Sequence, residues 1–163
     1  MKIGIFSDSH DNLTNIRKAL SIFSQSKIEV LIHAGDFCSP FVFAEFKVVK
    51  AVFSQMYAVF GNNDGDKLML TKKGQDFCLF KEPLHIVEIG GKKILITHYP
   101  ELAEQIYKTG DYDLVIFGHN HQQKIAGQEK LLLNPGTCAG YVTNKASIAI
   151  VDLETMKAEF IAI

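Results

Sequence analysis

Apolar and polar positions follow two periods along this chain. Short apolar runs at residues 2–7, 28–34, 56–60 and 113–117 read as strands. Leu13, Ile16, Leu20 and Phe23 recur at steps of three, four and three, one face of a helix, and Asp11 or Asn12 suits its N-cap. Residues 39–49 begin Ser39-Pro40, a helix start. They are apolar nearly all round, through Phe41, Val42, Phe43, Ala44, Phe46, Val48 and Val49, so this helix is either well covered or packed on a second subunit. Residues 84–89 and 92–97 form a hairpin around Gly90-Gly91. Pro100 opens a helix through about Thr109, with Gly110 as its C-cap. Residues 123–126 and 130–133 make another hairpin, Asn134-Pro135-Gly136-Thr137 a turn, and 146–153 with 157–163 a last hairpin. Residues 65–83 suggest only a short helix at 67–73, within a charged loop over a site. Helices early and hairpins late predict an α/β sandwich, two sheets face to face with helices outside. With no repeat, low-complexity tract or linker, residues 1–163 read as one domain.

Polar residues interrupt this pattern where strands stop. The first strand is followed by Asp8 and His10, the second by Asp36, the third by Asn62, the strand at 92–97 by His98, and the strand at 113–117 by His119 and His121. The carboxyl ends of strands in α/β sheets gather on one edge, so seven metal-ligand types can converge there. Singly, each has a plain role. Asp8 or Asn12 can cap a helix, Asp36 can sit in a turn, and Asn62-Asn63-Asp64-Gly65 is turn chemistry. Their recurrence at five strand ends points to a metal site. His33 and His85 fall inside strands, as a hydrogen-bonded core histidine and a sheet-face histidine. His119 and His121, two apart after an apolar strand, are expected to aim into one cavity and share an ion. Two carboxylates, an amide and four imidazoles exceed what one ion needs, and two ions can share them if a carboxylate bridges. Asp36, alone at a central strand end, is the expected bridge. Nitrogen and oxygen donors without thiolate suit Mn, Fe, Ni, Zn or Co alike. Two ions roughly 3.5–4 Å apart form a hydrolytic site for phosphoryl groups.

Composition narrows the classes. The chain is 47% apolar with a net charge of −1, which gives no pull toward nucleic acid or an anionic membrane. No basic stripe marks a large nucleic-acid substrate. No apolar run reaches membrane-spanning length, and the first residues turn polar too soon for a signal peptide, so a cytoplasmic location is expected. Cys38, Cys78 and Cys138 are too widely spaced for a disulfide framework or a cysteine zinc site and read as reduced, mostly buried thiols.

In order, Asp8-x-His10, Gly35-Asp36, Gly61-Asn62-Asn63-Asp64, His98 and Gly118-His119-x-His121 resemble the five blocks of the calcineurin-like metallophosphoesterases. Length and spacing are similar to the small prokaryotic single-domain phosphodiesterases of that superfamily, from residue 1 to about 163 and including Asn134-Pro135-Gly136. The resemblance implies a four-layer α/β/β/α sandwich of two mixed sheets flanked by helices, with a dinuclear centre at one edge. One metal would take Asp8, His10, Asp36 and His121, and the other Asp36, Asn62, His98 and His119. It implies two divalent ions, manganese first, with nickel, iron, cobalt or zinc as alternatives. The implied reaction is hydrolysis of small phosphodiesters by a metal-bound hydroxide, with Asn62 and Asn63 orienting the phosphate and Asp64 holding the loop.

Two departures bear on substrate. Many relatives carry a histidine at the position of Asn63, where it protonates the leaving group, and an amide is no general acid near neutral pH. Many carry Gly-His where Tyr99-Pro100 stands after His98, and that second histidine lies near the substrate, so a hydroxyl or a ring from Tyr99 is expected at the pocket instead. Other readings are a phosphomonoesterase or nucleotide phosphatase on the same site, and a low-turnover metal-binding scaffold like the retromer subunit that shares the fold. A homo-oligomer built through residues 39–49 fits the sequence as well as a covered core helix does.

Overall fold

Two mixed sheets lie face to face with helices over both outer faces. The computed structural model describes residues 1–49 and 51–163. Its elements are β1 (Lys2–Phe6), α1 (Leu13–Gln25), β2 (Val30–His33), a 3-10 turn (Pro40–Val42) leading into α2 (Phe43–Val49), β3 (Gln55–Val59), α3 (Lys67–Gly74) and β4 (Cys78–Lys81). There follow β5 (Leu84–Ile89), β6 (Lys92–Thr97), α4 (Pro100–Tyr107), β7 (Leu114–Ile116), β8 (Gln123–Ala126), β9 (Leu131–Pro135), β10 (Ser147–Asp152) and β11 (Lys157–Ala162). The first sheet runs β11-β10-β1-β2-β3-β4, with β1 to β4 parallel. The second runs β5-β6-β7-β9-β8, with β6, β7 and β9 parallel.

Strand alternation builds the layers. Ile3, Ile5, Val30 and Ile32 of the first sheet meet Ile94, Ile96, Leu114, Ile116, Leu131 and Leu133 of the second in the central core. The residues between them point outward. Phe6 and Leu31 pack with Ile16, Leu20 and Phe23 of α1 and with Phe43 and Phe46 of α2. Leu95, Val115, Phe117 and Leu132 pack with Ala103 of α4. A one-residue slip in any of these strands would exchange its two faces.

The structure departs from the sequence pattern in four places. Residues 39–49 split into a 3-10 turn and a seven-residue helix, which buries Val42, Phe43 and Phe46 and leaves Phe41 and Ala44 exposed. The side chains of Val48 and Val49, part of the all-round apolar reading, lie outside the described residues. The charged stretch hides an edge strand, β4, whose short half-buried CLFK run carries little pattern. Asn134 and Pro135 belong to a buried strand, where Pro135 keeps a bonded carbonyl through Ser147 Oγ–H at 2.7 Å. Cys38 is only partly buried, while Cys78 and Cys138 are buried, and all three are free thiols. Among the described residues no helix is long and apolar enough to cross a membrane.

The central core carries stability that the sheet surface does not. Ile96→Ala, at 0% exposure, is expected to cost about 2–5 kcal/mol. Ile125→Ala on β8, 40% exposed, should cost no more than about 0.5 kcal/mol. Urea unfolding of the two variants at unchanged m-value measures the difference.

Candidate metal centre

The carboxyl ends of β1, β2 and β3 in one sheet face those of β6 and β7 in the other, and all seven candidate ligands lie just beyond them. Sharp turns deliver them. Asp8, His10, Asp36, His119 and His121 have φ of 52°, 39°, 63°, 72° and 59°. This left-handed region is unfavourable for residues bearing a Cβ, and such strain persists only where surrounding bonds enforce it. Here Asp8 N–H donates to the Gly35 carbonyl (3.0 Å), His10 N–H to the Asp36 carbonyl (3.1 Å), and His119 N–H to both Asp8 carboxylate oxygens (3.1 and 3.3 Å).

The side chains fall into two groups that meet at Asp36. On one side, His121 Nε2 lies 3.3 Å from Asp8 Oδ1 and 3.3 Å from His10 Nε2, which is 3.9 Å from Asp8 Oδ1 and 3.7 Å from Asp36 Oδ2. On the other, His98 Nε2 lies 3.5 Å from Asp36 Oδ2 and 3.1 Å from Asn62 Oδ1, which is also 2.9 Å from His119 Nδ1. So His119 and His121 face different groups, unlike the shared ion that their spacing alone suggests and as the resemblance divides them. Asp8, Asp36 and His98 also lie within 4.8 Å of one another. Of the two carboxylates, Asp36 lies within 4 Å of imidazole nitrogens of both groups, at His10 and His98, whereas among the described residues Asp8 comes that close to the imidazoles of His10 and His121 on one side alone.

The donor set fits cations. His98 Nδ1–H donates to the Ala34 carbonyl at 2.8 Å, which turns the Nε2 lone pair of the neutral ring toward two acceptor oxygens. A metal ion or a proton must relieve that meeting of lone pairs. Burial lowers the His98 pKa, but Asp36, Asp8 and the Ala34 carbonyl outweigh it, and the net shift is upward. The Asp8 carboxylate likewise raises His121 against the cost of burial. Burial works to raise Asp36, yet His98 and Asn63 hold it well below the ordinary carboxylate range. The centre is therefore a buried anion ringed by basic nitrogens.

Residues that sequence reasoning left in minor roles fix this geometry. Asp64 is buried, and its carboxylate accepts backbone N–H bonds from Asp36 (3.0 Å), Cys38 (2.9 Å) and Gly61 (2.7 Å), so it ties the β2 and β3 turns together away from the cavity. Asn63, expected to orient a substrate phosphate, lines the cavity and is bonded to Asp36. Its backbone N–H and its Nδ2 each donate to Asp36 at 2.8 Å, because the carboxylate is the strongest acceptor within reach. His33 accepts from Gly35 N–H (3.1 Å) at Nδ1, which leaves Nε2–H to donate to Ser9 Oγ (3.0 Å), and burial lowers its pKa well below the usual value. His85 is buried and bonds the Ala58 carbonyl. Tyr99 packs against His98 and His119, at centroid distances of 5.3 and 5.7 Å. Ser7 Oγ–H donates to Asp8 Oδ2 (2.6 Å) and Thr137 Oγ1–H to the Asp8 carbonyl (3.0 Å), while Asn134 Nδ2 holds Gly118 and Asn120 at 2.9 Å each. Only the motif-like turn 134–137 hinted at these last contacts.

Two motif glycines are required by space. A Cβ at Gly61 would lie 2.1 Å from Asp36 Oδ1, and one at Gly118 would lie 2.0 Å from Ser7 Oγ and 2.8 Å from Asp8 Oδ2.

The chain is similar to known proteins in sequence and fold. The family model of the calcineurin-like phosphoesterase superfamily domain matches residues 1–156. A curated phosphodiesterase of Methanocaldococcus jannaschii is 42% identical over 159 residues, 94% of each chain. The solved structure of an archaeal phosphodiesterase superposes with a TM-score of 0.90 at 38% identity, with 100% of both chains covered. A Vps29 protein of Entamoeba histolytica superposes with a TM-score of 0.66 at 16% identity over 100% of this chain and 99% of that one, a likeness of fold. With the sandwich, the five motif blocks and a family match over nearly its whole length, the chain belongs to the calcineurin-like phosphoesterase superfamily.

Proposed function

We propose that the protein is a metal-dependent phosphodiesterase acting on small phosphodiesters at a centre of two divalent ions, with manganese the first candidate. The observation that carries this reading is the pair of donor groups meeting at Asp36, with Asp8, His10 and His121 on one side and Asn62, His98 and His119 on the other. The family match and the Methanocaldococcus relative, named a phosphodiesterase, support the same chemistry. Bound there, the two ions supply Lewis acidity to the phosphoryl oxygens and activate the attacking water.

The chain's own residues determine the rest. Asn62 turns Oδ1 toward two imidazoles, and its exposed Nδ2 makes no protein hydrogen bond among the described residues, so it is free to donate to a phosphate oxygen. Asn63 spends its donors on Asp36 and supplies no acid to the leaving group. Asp64 acts through Asp36 and Gly61 as a positioning residue. The leaving group then departs unaided or takes its proton from water, which favours esters of acidic alcohols such as phenols. The cavity over the centre, ≈ 380 Å³, lies near the lower end of ligand pockets and suits a small ester.

A screen of metal-stripped protein against each divalent ion, with mono- and diester substrates, tests the reading. Activity restored on diesters, and reduced about a hundredfold or more in Asp36→Asn, is expected, since the ions' charge stabilisation is worth several kcal/mol. Turnover confined to monoesters would replace the diester assignment, and no turnover with any ion would leave a scaffold. Asn63→His separates two roles. A gained acid should raise kcat/KM for alkyl esters by more than for aryl esters, up to about 10²-fold. An equal fall for both would show that only the clamp on Asp36 was lost. Asp64→Asn places an amide N–H₂ among three backbone donors. It should cost about 1–3 kcal/mol in urea unfolding, and weaken manganese binding by calorimetry about 10–100-fold.

A further inference from the structure

The rim of the metal-centre cavity carries two side chains that the proposed reaction does not use. Tyr141 and Val142, 65% and 78% exposed, line the same cavity as His10, Asp36, His119 and His121. Single exposed apolar residues are ordinary on a surface. These two are adjacent and stand together, with Ala139, against the open side of the site.

Their footing is fixed to the centre itself. Ala139 N–H donates to the Asp8 carbonyl (3.0 Å) and Gly140 N–H to Thr137 Oγ1 (3.3 Å). Asn12 and Asn15 both donate to the Ala139 carbonyl, at 3.0 and 3.1 Å, and Asn144 N–H closes the loop on the Gly140 carbonyl at 2.9 Å. The tip is exposed while its base is bonded to a candidate ligand and to the start of α1, which is how a specificity element is held at a set distance from reacting atoms. The loop's other flank differs in chemistry. It borders a second cavity of ≈ 650 Å³, which shares His121 and is lined by polar side chains such as Gln122, Asn144 and Lys145 and by the aliphatic Ala146, Ala162 and Ile163, with no phenyl or phenol ring among them. The ring of Tyr141 therefore borders the metal-centre cavity and not its neighbour.

We infer that Tyr141 and Val142 form a subsite for a ring-bearing ester substituent of the substrate, with Tyr141 as the specificity-determining residue. The inference rests on the phosphodiesterase reading. A phosphoryl group held at the ligands must project its substituents away from them, and Tyr141 is the phenol ring lining that space. A tyrosine ring gains most from a flat partner, stacked with an offset or meeting it edge to face. A methyl or a polyol offers it little. The substituent is thus an aryl group or a planar heterocycle such as a nucleobase.

Diphenylphosphinate and dimethylphosphinate test this, because their P–C bonds leave no ester to cleave. Each is titrated calorimetrically into manganese-loaded protein. Wild type should bind the diphenyl compound about tenfold more tightly than the dimethyl one, and Tyr141→Ala should abolish that advantage while moving dimethylphosphinate by less than about twofold. Tyr141→Phe, which keeps the ring, should retain the advantage. Equal weakening of both compounds, or no change in either, overturns the subsite and leaves the phosphoester reading standing. If neither compound binds metal-loaded wild type, the phosphoester reading fails and the subsite fails with it.

Discussion

Asp36 sets the terms for the rest of the site. It is 1% exposed, at the seam between the two sheets, and burial alone would drive its carboxyl neutral. It stays anionic because His98 and Asn63 face it directly, with His10 nearby at 3.7 Å. Those groups come from the ends of β6, β3 and β1, in two different sheets. The central core of Ile, Leu and Val has to bring the sheets into register for the carboxylate to be tolerated. Conversely, basic nitrogens packed this closely around a buried anion leave lone pairs that only cations satisfy. Fold and metal chemistry meet at one residue.

The positive φ values follow from the same constraint. A ligand that leaves a strand and turns at once toward the opposite sheet has few backbone routes, and five of the seven candidates take the left-handed one. Asp64, His33, Ser9 and Thr137 are what make this tolerable. Asp64 joins the β2 and β3 turns, His33 and Ser9 join the β1 and β2 turns, and Thr137 ties the β1 turn to the loop after β9. Gly61 and Gly118 serve the same end by leaving room where a Cβ would collide with Asp36 and Asp8. The lack of buried unsatisfied side-chain polar atoms among the described residues fits a network of this kind, in which half-satisfied members would be costly.

Much of this was legible in the residues. Strands buried on both faces read as continuous apolar runs, so β1, β2, β6 and β7 stood out, and ligand types at their ends marked the edge where the site lies. What could not be read were facts of direction. Asn63 and Asn62 are neighbours of identical type, yet one turns its donors inward to a carboxylate and the other turns its carbonyl toward two imidazoles. Residue type alone does not distinguish them, because the choice is made by partners 27 and 36 residues away. The edge strand β4 was missed for the opposite reason. It is short and half-exposed, with pairing to β3 rather than pattern to hold it in place.

The same contrast separates the logic of the centre from its selectivity. Metal ligation needs donors at fixed mutual distances, and the structure supplies them from strand ends braced on both sides. Substrate choice needs a surface that can vary without disturbing that bracing. The loop after β9 meets both demands, because its base at Thr137 to Gly140 is bonded to Asp8 and α1 while its tip makes no contribution to the core. Changes at Tyr141 or Val142 leave every hydrogen bond around Asp36 intact. A change at Asn63 cannot, since its donors hold the carboxylate on which both donor groups converge. On the proposed phosphodiesterase reading, leaving-group chemistry is therefore coupled to the integrity of the centre in this chain, and recognition of the ester substituent is not.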